Sequence, residues 1–199
     1  YASILVYDDY APSWKGLPLE KAQALTKQRA DNRMRFIDQH KQDERAIPVL
    51  FLVGSEHFQA KSYSSALSLA QRLLDWPQSF VGAPSADSVT LLESHLIKAH
   101  SLYALGDYIL SEPAYQEVLA RISKKDKRRA ALIENLAACV FKQAEAMLLV
   151  GEKSLAVDEF LRVGLVAPSS SLRASAEYDA AGYLIELKDW DKALEVLTS

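Results

Sequence analysis

One pattern occurs four times in this sequence and constrains the fold more than any other feature. A short turn is followed by a small residue three positions later, and another small residue stands seven positions before the turn. The turns, each with its following small residue, are Lys61–Tyr63 with Ala66, Gly106–Tyr108 with Ser111, Gly151–Lys153 with Ala156, and Lys188–Trp190 with Ala193. The preceding small residues are Gly54, Ala99, Ala144 and Ala181. Because small residues at facing positions let two helices approach closely, the pattern predicts four antiparallel helical hairpins.

The third hairpin shows the helical period most clearly. Its first half carries apolar residues every three to four positions, as one buried helix face requires: Leu132, Leu136, Val140, Ala144 and Met147. Gly151 supplies the backbone freedom for the turn, and Pro168 cannot continue the second helix.

These small residues and turns resemble the tetratricopeptide repeat family, most closely at Gly106–Tyr108 and Lys188–Trp190. The small residue recurs at intervals of 45, 45 and 37 residues, at positions 54, 99, 144 and 181, where the family's unit is about 34 residues long. The resemblance therefore implies an irregular version of the family's fold: all-α, an α-α superhelix (solenoid) of antiparallel helix pairs, with about nine helices.

We expect one continuous array after a short N-terminal arm. The predicted parts are an arm over 1–18, a degenerate leading unit over 19–46, and repeat-like units over about 47–77, 91–122, 130–168 and 171–199. The arm contains Ile4, Leu5 and Val6, and it has neither an initiator methionine nor the basic start of a signal peptide. We therefore expect an excised fragment or a processed chain.

Composition and motifs exclude several classes of function. A formal net charge of −3 does not favour a nucleic-acid partner, and no apolar run reaches the roughly 18 residues that a membrane span needs. The sequence has none of the phosphate-binding, zinc-protease or nucleophile motifs of common enzymes, so we predict neither an enzyme nor a cofactor or metal site. Cys139, the single cysteine, stands among apolar neighbours and is interpreted as a packing residue.

Three classes of function stay open. The first is an interaction scaffold that binds a protein or peptide in a concave groove; the second is a structural or assembly module that docks to a larger chain or another copy; the third is a regulatory array attached to an enzyme. The resemblance extends to bacterial cell-envelope tetratricopeptide proteins, which favours the periplasm.

The groove prediction comes from the resemblance, because in that family the first helix of each pair lines the concave face. Three inward columns are implied: Phe51, Leu96, Phe141 and Tyr178; Ser55, His100, Glu145 and Gly182; and Phe58, Tyr103, Leu148 and Ile185. Two columns are apolar or aromatic, which suits an amphipathic helix or a hydrophobic extended segment, with His100 and Glu145 fixing its register. The alternative is that these side chains pack the superhelix, or that the N-terminal arm fills the groove.

The last predicted helix is largely apolar: Trp190, Ala193, Leu194, Val196 and Leu197. Terminal repeats normally have a polar outer face. We therefore expect either that the parent chain continues past Ser199 or that this helix mediates self-association.

Overall fold

The structure is a computed structural model that describes residues 16–78 and 81–198. These residues form nine α-helices and one short 3₁₀ turn, with no strand among them. This confirms the predicted all-α class. The chain divides into two compact units, Tyr1–Ile97 (unit 1) and Lys98–Ser199 (unit 2), and the division falls inside a helix. The predicted N-terminal arm lies largely outside the described residues, and the predicted repeat boundaries stay a prediction.

Unit 1 contains three helices, a 3₁₀ turn and the first part of a fourth helix. They are α1 (Leu19–Gln39), α2 (Ala46–Gln59), α3 (Tyr63–Leu74), the turn Trp76–Gln78, and α4 (Ser88–Ala104) as far as Ile97. Helix α1 begins directly after Pro18, which takes the N-cap position. Its buried residues Phe36 and Ile37 pack with Leu50 of α2 and with Leu73 of α3, so one apolar cluster joins the three helices.

Unit 2 contains the end of α4 and five further helices. They are α5 (Tyr108–Arg121), α6 (Arg129–Leu149), α7 (Lys153–Val166), α8 (Leu172–Glu186) and α9 (Trp190–Thr198). Each of the helices α5 to α9 packs against the next, and α6 also contacts α8. A single buried cluster runs through α6 to α9, with Val140, Phe160 and Leu184 among its members.

The four predicted turns share one backbone geometry. Lys61, Gly106, Gly151 and Lys188 all have a left-handed backbone, with φ of 58°, 81°, 85° and 63°. At each turn this residue donates its N–H to the carbonyl three residues back, and the next residue donates to the carbonyl five back, at 2.9–3.0 Å. This is the Schellman motif, which satisfies carbonyls that a helix end leaves open.

The small residues predicted at the hairpin contacts are all buried: Gly54, Ala66, Ala99, Ser111, Ala144, Ala156, Ala181 and Ala193. In the hairpin α4–α5 the Ser111 hydroxyl donates to the Ala99 carbonyl at 3.0 Å. A side chain this short reaches the facing backbone only when the helices are close, so the contact explains why the position takes a small residue.

Helix α5 differs from its prediction at the N-terminus. The presence of Pro113 predicts a start at about Leu110, but the helix begins at Tyr108 and contains the proline. The Asp107 carboxylate caps the helix by accepting the Leu110 N–H at 3.1 Å. The cap therefore fixes the start of the helix two residues earlier, and the proline is accommodated within it.

Cys139 is buried, as predicted, and its thiol donates to the Ser111 hydroxyl at 3.4 Å. Burial raises the pKa of the Cys139 thiol to about 11. Such a group is protonated at neutral pH, which is the state of a packing residue rather than a nucleophile. Among the described helices, none is both long enough and apolar enough to cross a membrane.

Candidate interaction surfaces

In unit 1 the predicted groove residues take part in helix packing. Phe51 is half-buried between two apolar clusters, one around Leu50 and one around Ala66, and it lines a void that is too small to admit water. Phe58 is half-buried, and its ring meets that of Tyr63 edge-on at 5.8 Å. Leu96 is buried, while Ser55 is half-buried. These positions therefore offer a partner little free apolar surface.

In unit 2 two residues predicted to line the groove, Tyr103 and Glu145, come together with two that were not assigned to it, Tyr108 and Lys142. The Tyr103 ring of α4 meets the Tyr108 ring of α5 edge-on at 5.3 Å. On α6, the Lys142 Nζ lies 2.5 Å from Glu145 Oε2. All four side chains are half-buried. We call Tyr103, Tyr108, Lys142 and Glu145 the contact cluster.

The electrostatics of Tyr103 connect the tyrosine pair of the contact cluster with its ion pair. Burial is the main cause that raises the pKa of Tyr103 above its ordinary value; Tyr108 and Glu145 add to the effect, and the positive charge of Lys142 opposes it. The hydrogen bond to Glu145 raises the pKa of Lys142. The charges of Lys142 and Glu145 therefore both act on the Tyr103 hydroxyl.

His100 has a partner inside the protein. Its Nδ1 lies 2.7 Å from the hydroxyl of Tyr115, and the two rings meet edge-on at 5.3 Å. Tyr115 is almost fully buried, and burial raises its pKa well above the ordinary value. The His100 ring therefore joins α4 to α5, and only part of it is accessible to a ligand.

Phe141 and Leu148 lie at the junction of α6, α7 and α8. Phe141 meets Phe160 of α7 edge-on at 5.0 Å, and Phe160 stacks in parallel on Tyr183 of α8 at 6.2 Å. Leu148 packs against the same buried cluster. The aromatic series Phe141–Phe160–Tyr183 thus joins three helices, and these two predicted residues serve mainly to pack them.

Tyr178 and Ile185 of α8 occupy the same columns as Phe141 and Leu148 of α6, yet both are exposed. Gly182 between them is also exposed, and no atom lies within 4 Å of where its side chain would begin. The difference arises because α8 packs against α6, whereas no helix in the described part of the chain packs against α8 in the same way. Periodicity places Tyr178 in the column of Phe141 and Ile185 in that of Leu148, so it cannot predict that the residues of α6 are packed and those of α8 are exposed.

A partly buried charged network crosses α5, α6 and α7. Arg162 of α7 donates two hydrogen bonds to Glu112 of α5, at 2.5 and 2.8 Å, and Gln143 of α6 donates to the same carboxylate at 2.8 Å. Glu159 shares the guanidinium of Arg162 at 2.7 Å. Burial opposes ionisation of Glu112, but the hydrogen bonds from Arg162 and Gln143 outweigh it and lower its pKa. Every charge in the network has a partner, which is the arrangement of a structural contact.

No group of three His, Cys, Asp or Glu side chains within 16–78 and 81–198 is arranged to hold a metal ion. No protein-family model matches the sequence, and no curated protein matches it. Among solved structures, the crystal structure of the apo form of RapI is similar with a TM-score of 0.42 and 11% identity, over 98% of this chain and 67% of that chain.

Proposed function

We propose that the protein is an interaction scaffold of the tetratricopeptide repeat type, which binds a helical or extended segment of another protein on unit 2. The contact cluster is the observation that carries the proposal. It combines two tyrosine rings with an ion pair on adjoining helices, and each side chain keeps part of its surface in solvent. Tyrosine rings beside charges are typical of protein recognition surfaces, since the rings supply apolar area and the charges fix orientation.

The chemistry of the cluster defines the partner segment. The tyrosine rings suit an apolar side chain, whereas Lys142 and Glu145 suit one acidic and one basic group placed beside it. An amphipathic segment carries these groups together, either on one helix face or on alternate residues of an extended chain. The free carbonyls and hydroxyls of the segment can also accept hydrogen bonds from the Lys142 ammonium.

Peptide selection tests the proposal. A displayed library of random peptides of about 16 residues is selected on the 199-residue chain, and a selected peptide is titrated by fluorescence anisotropy. We expect Glu145→Lys to weaken binding by about tenfold or more, since it places two like charges at the site. The matched control is Glu152→Lys, a change of the same charge at an exposed turn residue, which should leave the affinity unchanged.

Two results would overturn the proposal. One is that no peptide is enriched above background. The other is that the selected peptides bind the wild type, Glu145→Lys and Lys142→Glu with equal affinity, which would place the binding surface elsewhere.

A structural or assembly role is the second candidate, and a different observation favours it. The last hairpin exposes a set of large apolar side chains that the contact cluster does not include.

A further inference from the structure

The outer side of the hairpin α8–α9 is apolar and exposed. Each helix contributes one stripe with the spacing i, i+4, i+7, which places its members on one helix face. The stripes are Tyr178, Gly182 and Ile185 on α8, and Trp190, Leu194 and Leu197 on α9, all exposed. We call these six residues the terminal face.

The preceding hairpin shows what these positions do when they are covered. Leu194 and Leu197 correspond to Val157 and Phe160 of α7, because each pair stands four and seven residues after the turn of its own hairpin. Val157 and Phe160 are 4% and 2% exposed, whereas Leu194 and Leu197 are 64% and 55% exposed. The cover on α7 is helix α8, whose Tyr183 stacks on Phe160. The terminal face therefore has the composition of a helix-packing interface, and no described residue covers it.

We propose that the terminal face docks against the same face of a second copy of this chain, forming a two-fold symmetric dimer. The exposed parts of its five large side chains amount to roughly 500 Å² of apolar surface. Soluble monomers rarely expose a contiguous patch larger than a few hundred Å². A two-fold contact would bury about 1,000 Å² from these side chains alone, which is about the lower limit for a biological interface, before any contribution from the surrounding residues.

The charges around the terminal face permit this contact. The last turn and helix carry charged residues of both signs: Lys188, Asp189, Asp191, Lys192 and Glu195. Lys192 and Asp189 already pair at 3.3 Å. In a two-fold dimer identical surfaces face each other, so a rim of one sign would repel itself, whereas a rim of mixed sign places opposite charges within reach.

A head-to-tail assembly requires a second, different apolar surface, and α1 does not provide it. The exposed side chains of α1 include Lys21, Lys27, Asp31 and Arg35. Docking of the terminal face on such a helix would bury charges without partners. Docking of the terminal face on α1 is therefore disfavoured relative to docking on an identical apolar face.

Sedimentation velocity and light scattering from about 1 to about 200 µM test the proposal on the 199-residue chain. The expected mass rises from 22.1 kDa and levels off at twice that value. Leu194→Glu should raise the dissociation constant by at least about 100-fold, because it places a carboxylate at the centre of the contact. The matched control is Leu165→Glu, at an 81% exposed leucine near the end of α7, and it should dimerise like the wild type.

Circular dichroism establishes that each variant is folded, and Tyr178→Glu on the other stripe replaces Leu194→Glu if that variant unfolds. The proposal is overturned by a wild type that stays at 22.1 kDa throughout, by a mass that grows beyond two copies without levelling off, or by equal dissociation of Leu194→Glu and Leu165→Glu. Neither substitution touches the contact cluster, so this result and the peptide-binding result are independent.

Discussion

Substitution of Glu112 by glutamine tests the charged network of unit 2. Glu112 is 8% exposed and accepts hydrogen bonds from Arg162 at 2.5 and 2.8 Å and from Gln143 at 2.8 Å. Glutamine has nearly the same shape, but it removes the charge and turns an NH₂ group towards two donors. A hydrogen bond to a charged group contributes about 1.5–3 kcal/mol, and Arg162 keeps Glu159 as a partner. We therefore expect Glu112→Gln to lower the free energy of unfolding by about 2 kcal/mol at neutral pH.

The pH dependence of this loss has a defined sign. The pKa of Glu112 is lowered from 4.5 in the folded protein, so its contribution to stability is present above 4.5 and is lost as the pH falls through the folded pKa. Glu112→Gln has no group to titrate there. The difference in unfolding free energy between wild type and variant should therefore shrink as the pH falls from about 7 to about 3. Because the two proteins share all other titrating groups, the difference isolates Glu112.

Urea unfolding followed by far-ultraviolet circular dichroism measures this difference. The matched control is Glu117→Gln on the same helix, where an exposed carboxylate pairs with Arg121 at 2.7 Å. An exposed pair of this kind contributes about 0.5 kcal/mol or less. The reasoning is refuted if Glu112→Gln costs no more than Glu117→Gln, or if its effect is the same at both ends of the pH range.

Four further outcomes are expected. Phe160→Ala should destabilise by about 3–5 kcal/mol in urea unfolding, whereas Leu197→Ala at the equivalent exposed position should cost less than about 1 kcal/mol in the monomer; equal losses would contradict the assigned burial. Gly54→Ala should stabilise by about 0.5–1 kcal/mol, since the new Cβ would lie 3.5 Å from Leu69 Cβ, an ordinary contact; a loss would mean that the hairpin is tighter than described. Lys61→Gly should stabilise by about 0.5 kcal/mol in thermal unfolding because φ is 58°, and a loss would show that the lysine side chain stabilises the turn. Cys139 should react with a thiol reagent only in urea, since it is buried with a pKa of about 11; rapid native reaction would contradict this.

The sequence predicts the hairpins well because their signals are local. A small residue, a turn and another small residue lie within 13 positions, as from Gly54 to Ala66, and each first helix of a hairpin ends at that turn. Helix α7 illustrates this: it begins at Lys153, two residues after Gly151, and ends at Val166, two residues before Pro168. The start of α5 was wrong by two residues, since the effect of the Asp107 cap outweighed that of Pro113.

Surface and network positions are harder to predict because they depend on residues distant in sequence. Glu112 and Arg162 are 50 positions apart, and periodicity contains no information about their pairing. Phe141 and Tyr178 share a sequence column, but only Phe141 has a following helix to pack against. A sequence pattern identifies the face of a helix on which a residue lies, whereas exposure depends on which other element covers that face.

The four turns have a consequence for the order of folding. Glycine reaches the left-handed backbone region about as readily as the right-handed one, so the turns at Gly106 and Gly151 can form before the flanking helices have packed. Lys188 enters that region only at an energetic cost, which the completed contact between α8 and α9 must offset. We therefore expect the hairpin α6–α7 to form early in refolding. The hairpin α8–α9 should form later, once α8 has packed and can stabilise α9. In pulse-labelled hydrogen exchange, this order of folding would appear as earlier protection of the amides in α6 and α7 than of those in α8 and α9.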